Sequence, residues 1–357
     1  MTRGFSIFVF TVFCGALIIS FVTLSPVLGY YLLWQTPVRL PSPVNSLANE
    51  AYPCLNSGGD IMYFSSDRRH QVEVKATKYV TDWDIYRSFW NGSTWSEPEN
   101  LVSINSRYSD SCPFLSSDGD YLYFASYRET GGQGKWDVYY STRAASSWNA
   151  PINIGSSINS AANEISPSLS NDGLQLFFAS DRSGGQGGFD IWVSNRADLG
   201  SAWQAPLNVT TVNSAAHDFA PKTVHDTSID QDFLYLTSDR SDGPWDIYFA
   251  QHISGLTWST PRLDFPPVNT DEADGYPFVM PERTMLLFVS PRVDDAAPLD
   301  VTKNGGLDIW YALPGAMTPT LDWRGIIVLM LLLSCFLLLP NLLMQKRKLG
   351  KVIRRRQ

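Results

Sequence analysis

The sequence predicts an all-β fold: a five-bladed β-propeller whose N-terminal strand closes the last blade, with a C-terminal membrane helix and either a signal peptide or a second anchor at the N-terminus. Three observations carry this. One unit recurs five times, each copy holds strand-like runs separated by turn formers, and the element missing from the last copy stands ahead of the first. The composition agrees, since 357 residues with 13% aromatics, 12 Trp, 25 Gly and 22 Pro suit strands and turns better than helices.

The copies open at Asn45, Asn105, Asn159, Asn213 and Asn269. In the third, strand A follows as "SPSLS", and an Asp-Gly turn leads to strand B, "LQLFFAS", which is hairpin chemistry. A loop leads to strand C, "DIWVS", and strand D carries a Trp-x-x-Pro element, at Trp95, Trp148, Trp203 and Trp258 in the first four copies. Four antiparallel strands recurring every 53–62 residues are the blades of a propeller. The fifth copy has no Trp-x-x-Pro, but "WQTPVRL", residues 34–40, precedes the first. Pairing the two ends removes two open sheet edges and sets the propeller at residues 34–313.

The loop in "ASDRSGGQGGFDIW", residues 179–192, resembles a phosphate cradle. A dinucleotide loop must open a helix, whose N-terminus faces the phosphates. Here a β-branched, aromatic strand follows, so the glycines make a B–C connection, with an anion nest as the lesser alternative.

The termini differ. Residues 5–29 carry no charge and make 1–29 a signal peptide or N-terminal anchor. After a linker at 314–324, residues 325–344 are long enough for a transmembrane helix, and the basic tail 345–357 orients it with that tail in the cytoplasm. A surface-sorting tail is the alternative for this end. Residues 30–323 are then extracytoplasmic. They hold all 35 acids and 18 of the 27 Lys and Arg, since nine lie outside this range, for a net charge of −17. Nucleic acid is excluded as a partner on that balance. Cys54 and Cys112 fall on innermost strands of neighbouring copies, where buried free thiols are expected and a disulfide is the alternative.

The run P-x-L-S-x-D-G-x-x-L-x-F-x-S-D-R-x-G-G-x-G-x-x-D-I-W resembles the WD-repeat-like, TolB-like propeller repeat of bacterial envelope proteins. The resemblance covers residues 34–313. It is strong in the third copy and good in the first two, but looser in the fourth, which lacks the Asp-Gly turn, and in the fifth, which has Pro291 where Asp is usual. It implies a propeller and protein–protein contacts in the cell envelope, with no common catalytic set.

Three charged positions recur in every copy: an acid (Glu50, Asp110, Glu164, Asp218, Asp274), an Arg (Arg68, Arg128, Arg182, Arg240, Arg292) and an Asp opening strand C (Asp84, Asp137, Asp190, Asp246, Asp308). The start of A, the end of B and the start of C share one end of a blade. The expectation is a structural carboxylate–Arg–carboxylate cluster on each rim, because the Arg fork can serve two acids. The outer-strand Trp residues are expected to cover the core between blades. Binding is expected on the long B–C loops of blades one and five, with Arg69, His70, Lys75 and Lys78 on one and Asp294 and Asp295 on the other. Four His without ligand spacing give no metal site, and no cofactor is implied. The expected function is a non-enzymatic, membrane-anchored envelope scaffold that binds a protein or cell-surface polymer. The alternative is a five-bladed glycan-binding or glycoside-hydrolysing enzyme using acids at the channel mouth.

Overall fold

The computed structural model describes residues 28–31, 34–68, 82–129, 131–241, 243–263, 267–292, 306–315 and 318–321. Residues Trp34–Pro314 form one compact unit, and it is a five-bladed β-propeller.

In each blade strand A lies innermost and D outermost. Blade one holds Glu50–Leu55, Ile61–Ser66, Asp84–Phe89 and Glu99–Asn100. Blade two holds Asp110–Leu115, Tyr121–Ser126 and Asp137–Ala144, with D in two short pieces, Ser147–Trp148 and Ile152–Asn153. Blade three holds Glu164–Leu169, Gln175–Ser180, Asp190–Asn195 and Leu207–Asn208. Blade four holds Asp218–Asp226, Gln231–Ser238 and Asp246–Ser254, with D again split into Thr257–Trp258 and Arg262–Leu263. Blade five holds Gly275–Val279, Leu286–Ser290 and Asp308–Ala312.

The D strand of blade five is Val38–Arg39, with Val38 opposite Tyr311 and Arg39 opposite Trp310. Gln35 N–H donates to the Leu313 carbonyl at 2.8 Å and Leu40 N–H to the Ile309 carbonyl at 3.0 Å, extending the seam on both sides. Strand A of blade one packs against all three inner strands of blade five, so the ring is closed.

Every A strand carries a β-bulge at one position. Tyr52, Cys112, Ser166, Ala220 and Tyr276 have φ between 50° and 57°, and Pro53, Pro113, Pro167, Pro221 and Pro277 follow them. A bulge admits a proline that a regular ladder would reject for want of its N–H. The left-handed residue costs about 1–3 kcal/mol in each blade. Cross-blade bonds offset part of this: Cys112 N–H donates to Ser65 Oγ at 3.1 Å and Tyr276 N–H to Thr237 Oγ1 at 2.8 Å.

Two of the outer-strand Trp residues pack between blades, whereas Trp95 lies 5.4 Å from Trp90 and Trp203 has Arg196 4.4 Å over its ring, each within its own blade. Trp148 meets Tyr63 edge-on at 6.1 Å and Trp258 meets Phe177 at 6.3 Å, in each case an aromatic on strand B of the preceding blade. Cys54 and Cys112 are buried free thiols.

A second unit comprises the two chain ends. In it Leu28–Tyr31 pairs antiparallel with Thr318–Leu321, so a short ladder stands where a leader end and a linker were expected. The apolar run 325–344 and the tail 345–357 lie outside the described residues. Among the described residues no helix is long and apolar enough to cross a membrane.

Candidate functional site

The rim acids are wholly buried, at 0% exposure in every blade. Each is paired with the Arg of its own blade. Arg68 reaches Glu50 at 2.9 Å, Arg128 reaches Asp110 at 2.6 Å, and Arg182 reaches Glu164 at 2.9 Å. Arg240 pairs with Asp218 and Arg292 with Asp274. The Ser or Thr after the opening Asn adds its N–H, as Ser160 does to Glu164 at 2.8 Å and Thr270 to Asp274 at 2.7 Å. The Arg also donates to the Ser ending strand B and to a carbonyl of the segment leading into strand A, as Arg182 does to Ser180 and Ile158. Aromatic faces flank the guanidinium, Phe178 at 5.0 Å and Trp192 at 5.3 Å in blade three, which adds cation–π attraction.

The third acid does not join this cluster, which corrects the expected two-carboxylate arrangement. Each Arg spends its remaining donors on the Ser and the carbonyls, so the strand-C Asp is left to tie down other elements. Asp137 accepts from Gln133 and Gly134 N–H, and Asp190 from Gln186 and Gly187 N–H, at 2.9 and 3.2 Å. Asp84 accepts from Asn100 at 3.1 Å, Asp308 pairs with Arg39 of the clasp at 2.9 Å, and Asp246 has Ser241 at 3.5 Å. Burial pushes the carboxyls of Asp137, Asp190 and Asp246 upward. The glycine loop 183–188 is therefore an anion nest occupied by the chain's own carboxylate. A Cβ at Gly185 would lie 1.9 Å from Asp190 Oδ2, so the loop closes on Asp190 only because it has no side chain there.

Sequence reading missed the opening Asn as a functional part. The amide of Asn159 accepts from Val138 N–H at 2.9 Å and donates to the Val138 carbonyl at 3.0 Å. Asn45, Asn105, Asn213 and Asn269 do the same to Ile309, Ile85, Ile191 and Ile247. Each Asn thus replaces one residue of a strand beside strand C of the preceding blade. Its recurrence was the available signal.

The loops expected to bind, with Arg69, His70, Lys75, Lys78, Asp294 and Asp295, lie outside the described residues.

A cleft of about 330 Å³ opens between blades three and four, at the A–B turn end. Blade three contributes Asn171, Asp172 and Gln175; blade four contributes His225, Asp232, His252 and Trp258. Blade four makes this ledge because its hairpin runs long, nine and eight residues in strands A and B against six each in blade three. Its Thr227–Asp230 turn replaces the Asp-Gly turn, so the ladder continues out to His225 opposite Asp232. His225 Nδ1 lies 2.8 Å from Asp232, and His252 Nδ1 lies 3.9 Å from the other oxygen. The hydrogen bond to Asp232 raises the pKa of His225, with Asp230 and Glu282 adding to it. Asp172 accepts from Ser170 Oγ at 2.6 Å and Leu174 N–H at 3.0 Å. The signal for this cleft was the fourth copy's departure from the repeat.

No protein-family model matches the chain, and no curated protein matches it in sequence. Solved structures do share its fold. An endo-arabinase from Bacteroides thetaiotaomicron is 14% identical, with 81% of this chain and 98% of that chain covered and a TM-score of 0.51. A thermostable family-43 glycoside hydrolase is 12% identical, covering 79% and 98%, with a TM-score of 0.50. A putative TolB from Agrobacterium tumefaciens is 16% identical, covering 75% and 83%, with a TM-score of 0.43. What the chain shares with solved structures is the propeller fold, and no family-model match extends the repeat resemblance beyond it. The expectation of a non-enzymatic scaffold, with an enzyme set aside, is corrected here: an endo-arabinase and a family-43 glycoside hydrolase share this fold, so the fold gives no ground for setting an enzyme aside.

Proposed function

We propose that the propeller is a glycoside hydrolase working in the cleft between blades three and four. The supporting observation is that this cleft brings together two carboxylates from adjacent blades, Asp172 and Asp232, with His225 bonded to the second. Glycoside hydrolysis uses a carboxylate pair about 5–9.5 Å apart, one giving a proton to the leaving oxygen and the other acting as base or nucleophile. The rim acids at the channel mouth are unsuited, because each is wholly buried and paired with an Arg. Asn171 and Gln175 offer donors and acceptors for sugar hydroxyls, and the cleft is of a size that small-ligand sites use.

Under the same proposal the propeller stands outside the cytoplasm, held by the apolar segment 325–344 with the basic tail 345–357 inside; the support is the hydropathy and charge pattern of the sequence. The enzyme then meets a cell-surface or external glycan.

The test is hydrolysis of arabino- and xylo-oligosaccharides by the full chain, beside Asp172→Asn and Asp232→Asn. Loss of a catalytic acid or base lowers kcat by about 10²–10⁴-fold, while the unfolding temperature should stay near that of the parent. An absence of cleavage across the panel, or cleavage by both variants at the parent rate, sinks the proposal.

A further inference from the structure

On the reading that the cleft is a hydrolase site, we propose that Glu282 and Arg283, in the A–B turn of blade five, are positioning residues that hold its His225–Asp232 pair in place. The pair sits on an overhang. Strand B of blade four is paired with strand C as far as Phe233, opposite Gln251. Beyond that point the ladder has two strands, with His225 opposite Asp232 and Asp226 opposite Gln231. The Gln231 side chain reaches the His252 carbonyl at 2.9 Å. A two-stranded hairpin is marginal in water, so this tip gains from an outside hold.

Successive residues of a strand face opposite sides. His225 and Asp232 line the cleft toward blade three. Their neighbours Asp226 and Phe233 turn to blade five, and both meet Arg283. Its guanidinium lies 4.3 Å over the Phe233 ring and 3.8 Å from an Asp226 oxygen, with the side chain 6% exposed. Glu282 takes the residue after Asp226, accepting from Thr227 N–H at 2.8 Å and from Thr227 Oγ1 at 2.6 Å.

The blade-five turn is shaped for these contacts. Blades one to three turn on a glycine at Gly59, Gly119 and Gly173. Blade five places Glu282 and Arg283 in succession at φ of 57° and 51°, where side chains other than glycine are strained. Glycine would relieve the strain but bring neither carboxylate nor guanidinium to blade four. The pair they steady is short, with His225 Nδ1 2.8 Å from Asp232, and a swaying tip would lengthen it. The charged groups facing His225 are Asp232 on strand B, Asp230 in the hairpin turn and Glu282. His252 of strand C lies 3.9 Å from Asp232, and Asp172 stands on the blade-three side of the cleft.

The test reads His225 in the full chain by imidazole NMR without any glycan, so failure of the hydrolase reading and failure of this one are separate results. His225→Asn assigns the signal among the four histidines. Two effects of Arg283→Met have opposite signs: removing a nearby cation raises an imidazole pKa through space, while losing the bond to a carboxylate lowers it. The expected result is a fall of about 0.5 unit, roughly a threefold loss of proton affinity, with Arg283→Lys in between. Thr227→Val changes no charge, lies at an exposed residue and should give a smaller fall. It decides the matter if Arg283→Met fails to fold. A His225 pKa that holds or rises in Arg283→Met, or holds in Thr227→Val, overturns the proposal.

Discussion

Side-chain amides at five places hold neighbouring blades together by imitating backbone. Asn159 meets both polar groups of Val138 while being only 2% exposed. Asn159→Ala leaves a buried N–H and C=O unpaired, at about 1–3 kcal/mol each, so chemical denaturation should show a loss of about 2–6 kcal/mol. Arg182→Met removes the counter-charge of Glu164, whose exposure is 0%. That change should cost about 3–5 kcal/mol, and the double change with Glu164→Gln should recover part of it. Lys222 acts in the opposite sense. Its pKa falls from 10.5 to about 8 in the folded chain, so the unfolded chain binds more protons between those values and stability rises with pH across that window. Urea midpoints taken from pH 7.5 to 10.5 should climb for the parent relative to Lys222→Met; equal slopes would contradict this. The acid and Arg positions were legible in the sequence because they recur in all five copies. Their pairing was legible too; the exclusion of the strand-C Asp was not, because spacing brings three charges to one rim and only the fold shows the Arg donors already engaged by carbonyls.

At the level of elements, loops and turns divide by what they enclose. The blade-three glycine loop wraps Asp190, and a Cβ at Gly187 would lie 2.0 Å from the Ala216 carbonyl oxygen. That oxygen belongs to backbone and cannot swing aside. Gly187→Ala should therefore lower stability by about 1–3 kcal/mol, with the far-ultraviolet spectrum of the folded chain unchanged. Such a loop looks like a ligand cradle in the sequence because the physics is the same, and only the identity of the anion differs. The strands and turns were legible from alternation and turn chemistry, with Asp-Gly at Gly119 and Gly173 and Gly-Gly at Gly59, each of these glycines having φ between 70° and 77°. The blade-four ledge was not, since a lengthened hairpin reads as a weak repeat. Its His225 is held protonated by Asp232 to higher pH than usual. The stability from this pair is complete below the unfolded His pKa and is lost as pH rises through the folded value, a dependence that His225→Asn should abolish.

For the whole molecule, the closed ring was legible from one displaced element, Trp34 to Leu40, and the structure pairs that stretch with Asp308–Ala312. Removing residues 1–40 should expose the edge of the strand C that ends blade five. Unpaired edges recruit other chains, so the shortened chain should melt earlier and elute partly as aggregate on size exclusion. The candidate cleft was less legible than the ring, because a repeat reports what the blades have in common.

Leu40 and Ile309 are hydrogen-bonded neighbours separated by almost the full length of the domain. During synthesis the first of them leaves the ribosome long before the second exists. Blades one to four can order in turn as they appear, from contacts close in sequence, whereas the seam is the longest-range step and so the slowest. The nascent chain therefore spends most of its manufacture with a sticky margin on show, and chaperone demand should peak just before the segment around Ile309 emerges.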